Sequence, residues 1–200
     1  MRVAAGMITQ LHPAPTEVAL RKEIAALRAH VAQLQHLVDS DPLTGLANRR
    51  ALARELARTI LRAGRGVPAS VALLDLDSFK AVNDRYGHAM GDVALCHMAM
   101  HLRAGFRDSD FIGRIGGDEF VLILPDAVPA KAQDRLVEIA AQLHQSPLLC
   151  AAGVVRLSFA WGVTGVCPSD VPNALIARAD AALYRTKRTG RAFADQRSDR

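Results

Sequence analysis

The stretch FIGRIGGDEFVLIL, residues 111–124, decides the fold of this chain. It begins and ends with apolar runs that have the length and composition of β-strands. The adjacent glycines Gly116 and Gly117 lie between the two runs, and such pairs are favoured in the tight turns that join antiparallel strands. The stretch therefore predicts a β-hairpin with two acidic residues, Asp118 and Glu119, at its tip.

Helices and further strands are predicted on both sides of this hairpin. Apolar residues recur at three- and four-residue steps in four segments, which we predict as helices at about residues 48–63, 92–104, 129–145 and 172–189. Short apolar runs bounded by turn residues predict strands at residues 71–76, 149–152 and 156–163. Helices and strands intermixed in this way predict a mixed sheet flanked by helices, in a single α/β or α+β domain.

A heptad pattern precedes this domain, over residues 16–40. Its apolar positions follow one another at alternating steps of four and three residues: Leu20, Ile24, Leu27, Val31, Leu34 and Val38. The pattern is short, so it is compatible with a lone amphipathic helix packed on its own domain as well as with a parallel coiled coil. We favour the coiled coil, because nothing in this stretch indicates a second fold. Residues 1–15, which include two prolines, are predicted to be disordered, and residues 195–200 to form a loose tail.

The composition is that of a soluble globular protein. Half of the 200 residues are apolar and 22% are charged, and the chain is long enough for one well-buried domain. The net charge of +5 is modest and the basic residues are scattered, so small phosphorylated ligands account for it as well as nucleic acid or anionic lipid does. The three cysteines match neither a disulfide framework nor a metal-binding spacing, which favours reduced thiols in a cytosol.

The sequence contains no segment with the character of a signal peptide or a membrane span. The strongest candidate for a span, residues 148–167, carries Arg156 in its middle, and an arginine at the bilayer centre costs about 3 kcal/mol. We therefore predict two buried strands in this segment, no membrane span and a cytoplasmic location.

Two acidic pairs lie at positions that a fold of this kind can bring together. Asp75 and Asp77 lie at the end of a predicted strand, on one face because side chains alternate along a strand. Each acidic pair alone is also compatible with a solvated strand end or a charged turn. If the strand lies beside the hairpin, Asp75, Asp118 and Glu119 converge, and such hard oxygen ligands suit Mg²⁺ together with substrate phosphates.

Basic and amide side chains complete a pattern for nucleotide binding. Lys80 follows the acidic strand, and Lys187 and Arg191 lie near the end of the last helix, where cations also interact favourably with the helix dipole. Their functional interpretation is a clamp on nucleotide phosphates. Asn83 and Asp92 are candidates for recognition of a guanine edge, although Asp92 is equally suited to capping a helix. These residues by themselves predict metal-dependent phosphoryl chemistry.

Several motifs together resemble the GGDEF family of diguanylate cyclases, and they occur in that family's order. They are DPLTGLANRR at residues 41–50, DLDSFK at 75–80, GHAMGD at 87–92, GGDEF at 116–120 and ADAALY at 179–184. The resemblance implies a mixed five-stranded sheet wrapped by helices, similar to the adenylyl cyclase catalytic domain, over residues 41–194. It also implies synthesis of cyclic di-GMP from two molecules of GTP.

The resemblance assigns roles to individual residues. The side chains of Asp75 and Asp118 and the carbonyl of Leu76 would bind Mg²⁺, with Mn²⁺ as an alternative. Glu119 would assist at a second metal or deprotonate the attacking hydroxyl. The substrate GTP would be held by Gly116 and Gly117, which admit the nucleotide, by Ser78, Phe79, Lys80, Lys187 and Arg191 at its phosphates, and by Asn83, Asp92 and His88 at its guanine.

Assembly and regulation are also implied. Each active site of this family holds one GTP, so two domains must face each other in a homodimer, and the heptad helix would pair the two chains as a stalk. Arg107 and Asp110 match the family's RxxD inhibitory site, where the product binds. Two alternatives stay open: a non-catalytic receptor for cyclic di-GMP, and a cyclase that makes a mixed dinucleotide. Nucleic acid is not an expected partner.

Overall fold

The computed structural model of this chain describes residues 16–150 and 153–189. The chain divides into two compact units, Met1–Val38 and Asp39–Arg200. Three predictions fall outside the described residues: the disorder at 1–15, the tail at 195–200 and the phosphate ligand Arg191. In the described part of the chain, no helix combines the length and the apolar character needed to cross a membrane.

Six helices and six strands make up the described chain. The helices are α1 (Glu17–Asp39), α2 (Arg49–Ala63), α3 (Phe79–Tyr86), α4 (His88–Gly105), α5 (Pro129–Gln145) and α6 (Pro172–Arg188). The strands are β1 (Ala69–Leu76), β2 (Phe111–Gly116), β3 (Glu119–Pro125), β4 (Leu148–Cys150), β5 (Gly153–Val155) and β6 (Phe159–Gly165). The hairpin predicted at residues 111–124 is confirmed as β2 and β3.

The heptad stretch is helical, as predicted, and three of its apolar positions in the first turns are exposed. Leu20, Ile24 and Leu27 of α1 are 44%, 47% and 58% exposed. The helix begins at Glu17, whose carboxylate accepts a 2.6 Å hydrogen bond from Arg21 one turn later. Such a pair stabilises an exposed helix, and an acid in the first turn also interacts favourably with the helix dipole. Pairing of α1 with a second chain stays a prediction.

The main sheet contains four strands in the order β2-β3-β1-β6, and every neighbouring pair is antiparallel. Helices cover both faces of its central strand, so β1 is buried from Ala69 to Leu74. Leu74 and Leu76 pack in a core cluster with α4 and α5, whereas Val71 and Leu73 pack on the opposite face with α2 and α6. Alternation along the strand therefore places Asp75 on the face that α2 and α6 cover.

The α+β class is confirmed, but the sheet differs in detail from the mixed five-stranded sheet that the resemblance implied. The parallel contact among the described residues is the isolated bridge between Ala47 and Gly113, at the edge of β2. It does not extend into a fifth strand, because Asn48 caps α2 directly afterwards. The strands β4 and β5 pair with each other, with Cys150 opposite Gly153, in a separate two-stranded sheet.

The helix α3 was not predicted from the sequence, and α4 begins four residues before its predicted start. None of the residues of α3 is fully buried, so its sequence lacks the strong apolar periodicity on which helix prediction depends. Gly87 separates the two helices with a φ of +83°. The segment between β1 and residue 92, where no helix was predicted, therefore contains the short helix α3, the break at Gly87 and the first turn of α4.

Candidate active site

The register of the main sheet brings the two acidic segments together. Asp75 of β1 lies opposite Glu119 of β3 in the antiparallel ladder, so both side chains project from the same face of the sheet. Asp118 precedes Glu119, and its carbonyl oxygen accepts a 3.3 Å hydrogen bond from the backbone N–H of Leu76. The strand end and the hairpin tip are therefore neighbours. We call Asp75, Asp118 and Glu119 the acidic cluster.

A lysine from the last helix offsets part of the negative charge of the acidic cluster. Carboxylates opposite each other on a sheet repel unless a cation lies nearby. The ammonium of Lys187, in the last turn of α6, lies 2.6 Å from Oδ1 of Asp75, whose side chain is 18% exposed. The helix packs directly on β6 at Gly162, where a Cβ atom would overlap the backbone nitrogen of Leu183. Lys187 thus lies beside the predicted metal ligand Asp75, and its contact with phosphate stays a prediction.

Asp77, the other acid near the end of β1, has a structural partner. Its carboxylate accepts a 2.7 Å hydrogen bond from the hydroxyl of Ser158, and its backbone N–H donates to the Ser158 carbonyl at 2.9 Å. Burial raises the pKa of Asp77 and the charge of Asp75 adds to the shift, whereas the Ser158 hydroxyl and the charge of Lys187 oppose it. Asp77 therefore joins the end of β1 to the segment that leads into β6.

The turn between β2 and β3 is open at its two glycines. Gly116 and Gly117 have φ values of +156° and +50°, a region that residues other than glycine rarely adopt. A Cβ atom on either residue would meet none of the described atoms within 4 Å. A ligand can therefore approach the backbone of this turn closely, which supports the prediction that the two glycines admit the nucleotide.

An arginine that the sequence analysis did not single out braces this turn. Nε and Nη2 of Arg114 donate to the carbonyl of Gly117 at 2.9 and 2.7 Å, and Nη1 donates to both carboxylate oxygens of Asp41 at 3.1 and 3.2 Å. Asp41 also accepts hydrogen bonds from the N–H and the hydroxyl of Thr44, at 2.9 and 2.7 Å. This network, which we call the turn brace, connects the segment before α2 to the tip of the hairpin.

Replacing Asp41 by Asn is expected to weaken the turn brace in a pH-dependent way. Burial by itself would raise the pKa of Asp41, but hydrogen bonds from Thr44 and Arg114 lower it below the ordinary value of 3.8. A carboxyl with a lowered pKa stabilises the fold above its ordinary pKa, and this contribution is lost as the pH falls through the lowered value. Near neutral pH we expect the variant to lose about 1–3 kcal/mol of unfolding free energy, measured by urea denaturation.

The pH series provides the control for this prediction. The stability difference between the wild type and Asp41→Asn should shrink as the pH is taken below 3.8, because the wild-type carboxyl then becomes protonated. Asp134→Asn removes an exposed acid from α5 and should leave stability unchanged at every pH. A difference that stays constant down to the acid transition would contradict the role assigned to the Asp41 carboxylate.

The other predicted nucleotide ligands lie on α3 and α4, directly after the acidic strand. Ser78 is the N-cap of α3 with a left-handed backbone, and Phe79 and Lys80 form the first turn of this helix. Asn83 follows one turn later, and its side chain lies against Gly91 of α4.

The start of α4 decides one alternative that the sequence left open. The helix begins at His88 with Gly87 as its N-cap, so Asp92 lies one turn inside the helix. The interpretation of Asp92 as a helix cap is therefore wrong. The side chains of His88 and Asp92 are both exposed, and their contact with guanine stays a prediction.

Arg107 and Asp110 lie in the loop before β2. The N–H of Arg107 donates to Oδ2 of Asp110 at 2.9 Å, and the N–H of Asp110 donates to the Arg107 carbonyl at 2.9 Å. Both residues line a cavity of about 480 Å³ together with Lys131 and Arg135 of α5. Because β2 runs from this loop to the hairpin turn, the predicted inhibitory site and the acidic cluster lie at opposite ends of one strand.

The donor atoms of the acidic cluster fit Mg²⁺. Among the described residues, no three His, Cys, Asp or Glu side chains are gathered closely enough to hold a metal by themselves. Mg²⁺ usually needs only one or two carboxylates, because water and substrate phosphates complete its coordination. Asp75, Asp118 and the carbonyl of Leu76 can supply that smaller set of oxygen ligands.

A family model matches most of the chain. The model described as diguanylate cyclase, GGDEF domain, matches residues 38–192. The chain belongs to the GGDEF family. The family resemblance that the sequence motifs indicated is thereby confirmed, and this GGDEF domain carries the family's signature at the tip of the β2–β3 hairpin.

Curated relatives of this GGDEF domain are similar to it along most of its length. Diguanylate cyclase DgcP of Pseudomonas aeruginosa is 35% identical over 173 residues, which are 86% of this chain and 26% of DgcP. Response regulator PleD of Caulobacter vibrioides is 35% identical over 180 residues, which are 88% of this chain and 40% of PleD. This chain therefore spans less than half the length of these two relatives.

Solved structures share the fold of this GGDEF domain. The coiled coil and GGDEF domain of DgcB from Caulobacter crescentus, in complex with c-di-GMP, has a TM-score of 0.77 and 31% identity, covering 87% of this chain and 93% of that one. The diguanylate cyclase SiaD of Pseudomonas aeruginosa, in complex with its activator SiaC, has a TM-score of 0.79 and 32% identity, covering 86% of this chain and 66% of that one.

Proposed function

We propose that this GGDEF domain is an active diguanylate cyclase, which joins two GTP molecules into cyclic di-GMP and releases two pyrophosphates. The observation that carries the proposal is the position of Asp75 opposite Glu119, with Asp118 beside them. The open glycine turn next to this acidic cluster supports it further. Non-catalytic members of the family usually lose signature acids or glycines, whereas this chain has all of them.

Each half of the reaction forms one phosphorus–oxygen bond and breaks another. The 3′-hydroxyl of one GTP attacks the α-phosphorus of the other, and the bond from that phosphorus to the bridging oxygen breaks as pyrophosphate leaves. The hydroxyl proton passes to a base, for which the exposed Glu119 is our candidate. Asp75, Asp118 and the Leu76 carbonyl would hold Mg²⁺, or Mn²⁺, and a metal held there neutralises phosphate charge in the transition state. Lys187 and Lys80 would contact the outer phosphates.

The product contains two guanosine units, so the proposal requires two copies of the chain, each with one GTP. Holding both reactants in line replaces a chance encounter by an oriented one, which lowers the entropic part of the barrier. The exposed apolar stripe of α1 at Leu20, Ile24 and Leu27 is our candidate for pairing the two chains. The homodimer is therefore part of the proposed function.

Purified protein with GTP and Mg²⁺ tests the proposal directly. Mass spectrometry should detect cyclic di-GMP, and a mixture of GTP and ATP should give no mixed dinucleotide if guanine is selected. Binding of cyclic di-GMP without any turnover of GTP would overturn the cyclase and favour the receptor alternative, which the cavity beside Arg107 and Asp110 also fits.

Arg107→Ala is expected to relieve product inhibition. Arg107 lines the cavity with Lys131 and Arg135, and together these cationic residues would attract the phosphates of cyclic di-GMP. We expect the inhibition constant for added cyclic di-GMP to rise about tenfold or more, which corresponds to one charge-assisted contact. The initial rate without product should be unchanged. Arg65→Ala removes an exposed arginine from the turn after α2 and should leave inhibition intact; an equal effect of both variants would refute the site.

A further inference from the structure

A glycine inside α4 lies against the side chain of Asn83, which is predicted to contact guanine. Gly91 is buried, and a Cβ atom built on it would overlap Oδ1 of Asn83 and lie 3.0 Å from Cγ of Asn83 and 3.3 Å from Cε2 of Phe79. The oxygen end of the Asn83 amide on α3 therefore packs against α4 at Gly91. The hydrogen bonds of the described side chains do not include this amide, so packing sets its orientation.

The backbone at Gly91 does not require a glycine. Its φ is not among the positive values of the chain, and its N–H donates to the Gly87 carbonyl at 3.3 Å as part of the first turns of α4. Glycine in a helix interior is unfavourable relative to alanine, because it loses more conformational freedom on folding. The absence of a side chain at this position therefore serves the packing of Asn83 and Phe79 rather than the helix.

The atom that an alanine would overlap, Oδ1 of Asn83, belongs to the end of a side chain that can rotate. Asn83 can turn its amide away from an added methyl group, whereas the backbone of α3 and α4 need not move. The added methyl would also favour the helix. Gly91→Ala should therefore preserve or raise the stability of the fold and change the direction of the Asn83 amide.

We propose that Gly91 is a positioning residue for base recognition, which fixes the Asn83 amide so that it meets the edge of guanine. The inference rests on the proposed function together with the assignment of Asn83 and Asp92 to guanine that the family resemblance implies. Asp92 follows Gly91 directly in α4. An amide N–H can donate to O6 of guanine while a carboxylate accepts from N1–H and the 2-amino group on the same edge, whereas adenine presents an amino group in place of O6 and has no proton on N1.

Nucleotides that bind but cannot react provide the test. 3′-Deoxy-GTP and 3′-deoxy-ATP lack the attacking hydroxyl, so calorimetry on the full chain with Mg²⁺ measures their affinity without turnover. For Gly91→Ala we expect the affinity for 3′-deoxy-GTP to fall about tenfold, which is the scale of one directed hydrogen bond, and the affinity for 3′-deoxy-ATP to stay within about twofold. The melting temperature should be unchanged or higher. A simple packing defect would instead lower the melting temperature, or would lower the affinity for both nucleotides equally.

Two variants make the test specific to Asn83. In an Asn83→Ala background the displaced amide is absent, so adding Gly91→Ala should change the affinity for 3′-deoxy-GTP by less than about twofold. Gly64→Ala is the matched control, because Gly64 ends α2 with a φ of −60° and its nearest neighbour would be 3.4 Å from an added Cβ. It should change neither affinity.

The outcomes separate this inference from the cyclase proposal. A protein that binds 3′-deoxy-GTP and shows the predicted pattern without making cyclic di-GMP would retain the inference and overturn the cyclase. If the wild type synthesises cyclic di-GMP but Gly91→Ala binds 3′-deoxy-GTP as tightly as the wild type, the cyclase proposal would stand and the inference would be overturned. A tenfold loss that persists in the Asn83→Ala background would overturn the role through Asn83, and a wild type that binds neither nucleotide would overturn both proposals.

Discussion

Asp118→Asn is expected to reduce cyclic di-GMP synthesis by about three orders of magnitude or more, with the fold intact. Asp118 is the one residue of the acidic cluster that lies in the turn itself, half-buried and one residue from the open glycines. An amide at this position keeps the shape of the side chain but removes the negative charge that a magnesium ion requires. The measurement is the initial rate of product formation from GTP at saturating Mg²⁺.

Controls for Asp118→Asn separate chemistry from folding. Asp134→Asn removes the same charge from an exposed position on α5 and should keep the wild-type rate. The melting temperature of Asp118→Asn should not fall, since no ion pair of the described residues involves this carboxylate and its removal lessens the repulsion around Asp75. Retention of more than a tenth of the wild-type rate would show that the Asp118 carboxylate does not hold the metal.

A double variant examines whether the acidic cluster acts as a unit. If Asp75 and Asp118 hold the same ion, Asp75→Asn alone should be nearly as inactive as Asp118→Asn, and the combination should be little worse than either. Independent roles would instead multiply the two losses. Asp75 also forms an ion pair with Lys187, which the Asn substitution removes. We therefore expect Asp75→Asn to have a lower free energy of unfolding than Asp118→Asn.

Parts of the site could be predicted from the sequence where their residues are close together in the chain, or where the apolar pattern identifies the strand or helix that carries them. The turn at Gly116 and Gly117 follows from the two flanking apolar runs, and the position of Asp75 follows from the strand at β1. The sequence did not establish that β1 lies beside β3, on which the convergence of the acids depends. The structure shows this pairing, with Asp75 opposite Glu119.

Contacts between distant segments could not be predicted from one sequence. Arg114 and Asp41 are 73 residues apart, and Ser158 and Asp77 are 81 apart, so no local pattern indicates that they meet. The packing of Asn83 on Gly91 was also hidden, because α3 buries none of its residues fully and gave no helical signal. Motif resemblance identified several of these positions without indicating what they contact.

Glutamate at Leu20 and Leu27 together is expected to make synthesis depend on chance encounters between single chains. Both positions belong to the exposed apolar stripe of α1, which has no role in the chemistry of either active site. Charges at the apolar positions of a heptad repel across a paired helix and remove the burial that stabilises the pair. At submicromolar protein we expect the rate per chain to fall about tenfold or more, because the partner's GTP is then no longer held at high effective concentration.

The concentration dependence of the rate distinguishes this effect from damage to the active site. Leu20→Glu with Leu27→Glu should show a rate that rises with the square of protein concentration and approaches the wild-type rate per chain at high concentration, whereas the wild type should scale linearly. Ala26→Glu with Ala29→Glu adds the same two charges to exposed positions of α1 outside the heptad stripe and should behave as the wild type. Light scattering should find a dimer for the wild type and the control, and a monomer for the stripe variant. A wild type that is monomeric at high concentration, with a rate that still scales linearly, would mean that α1 does not pair the two catalytic domains.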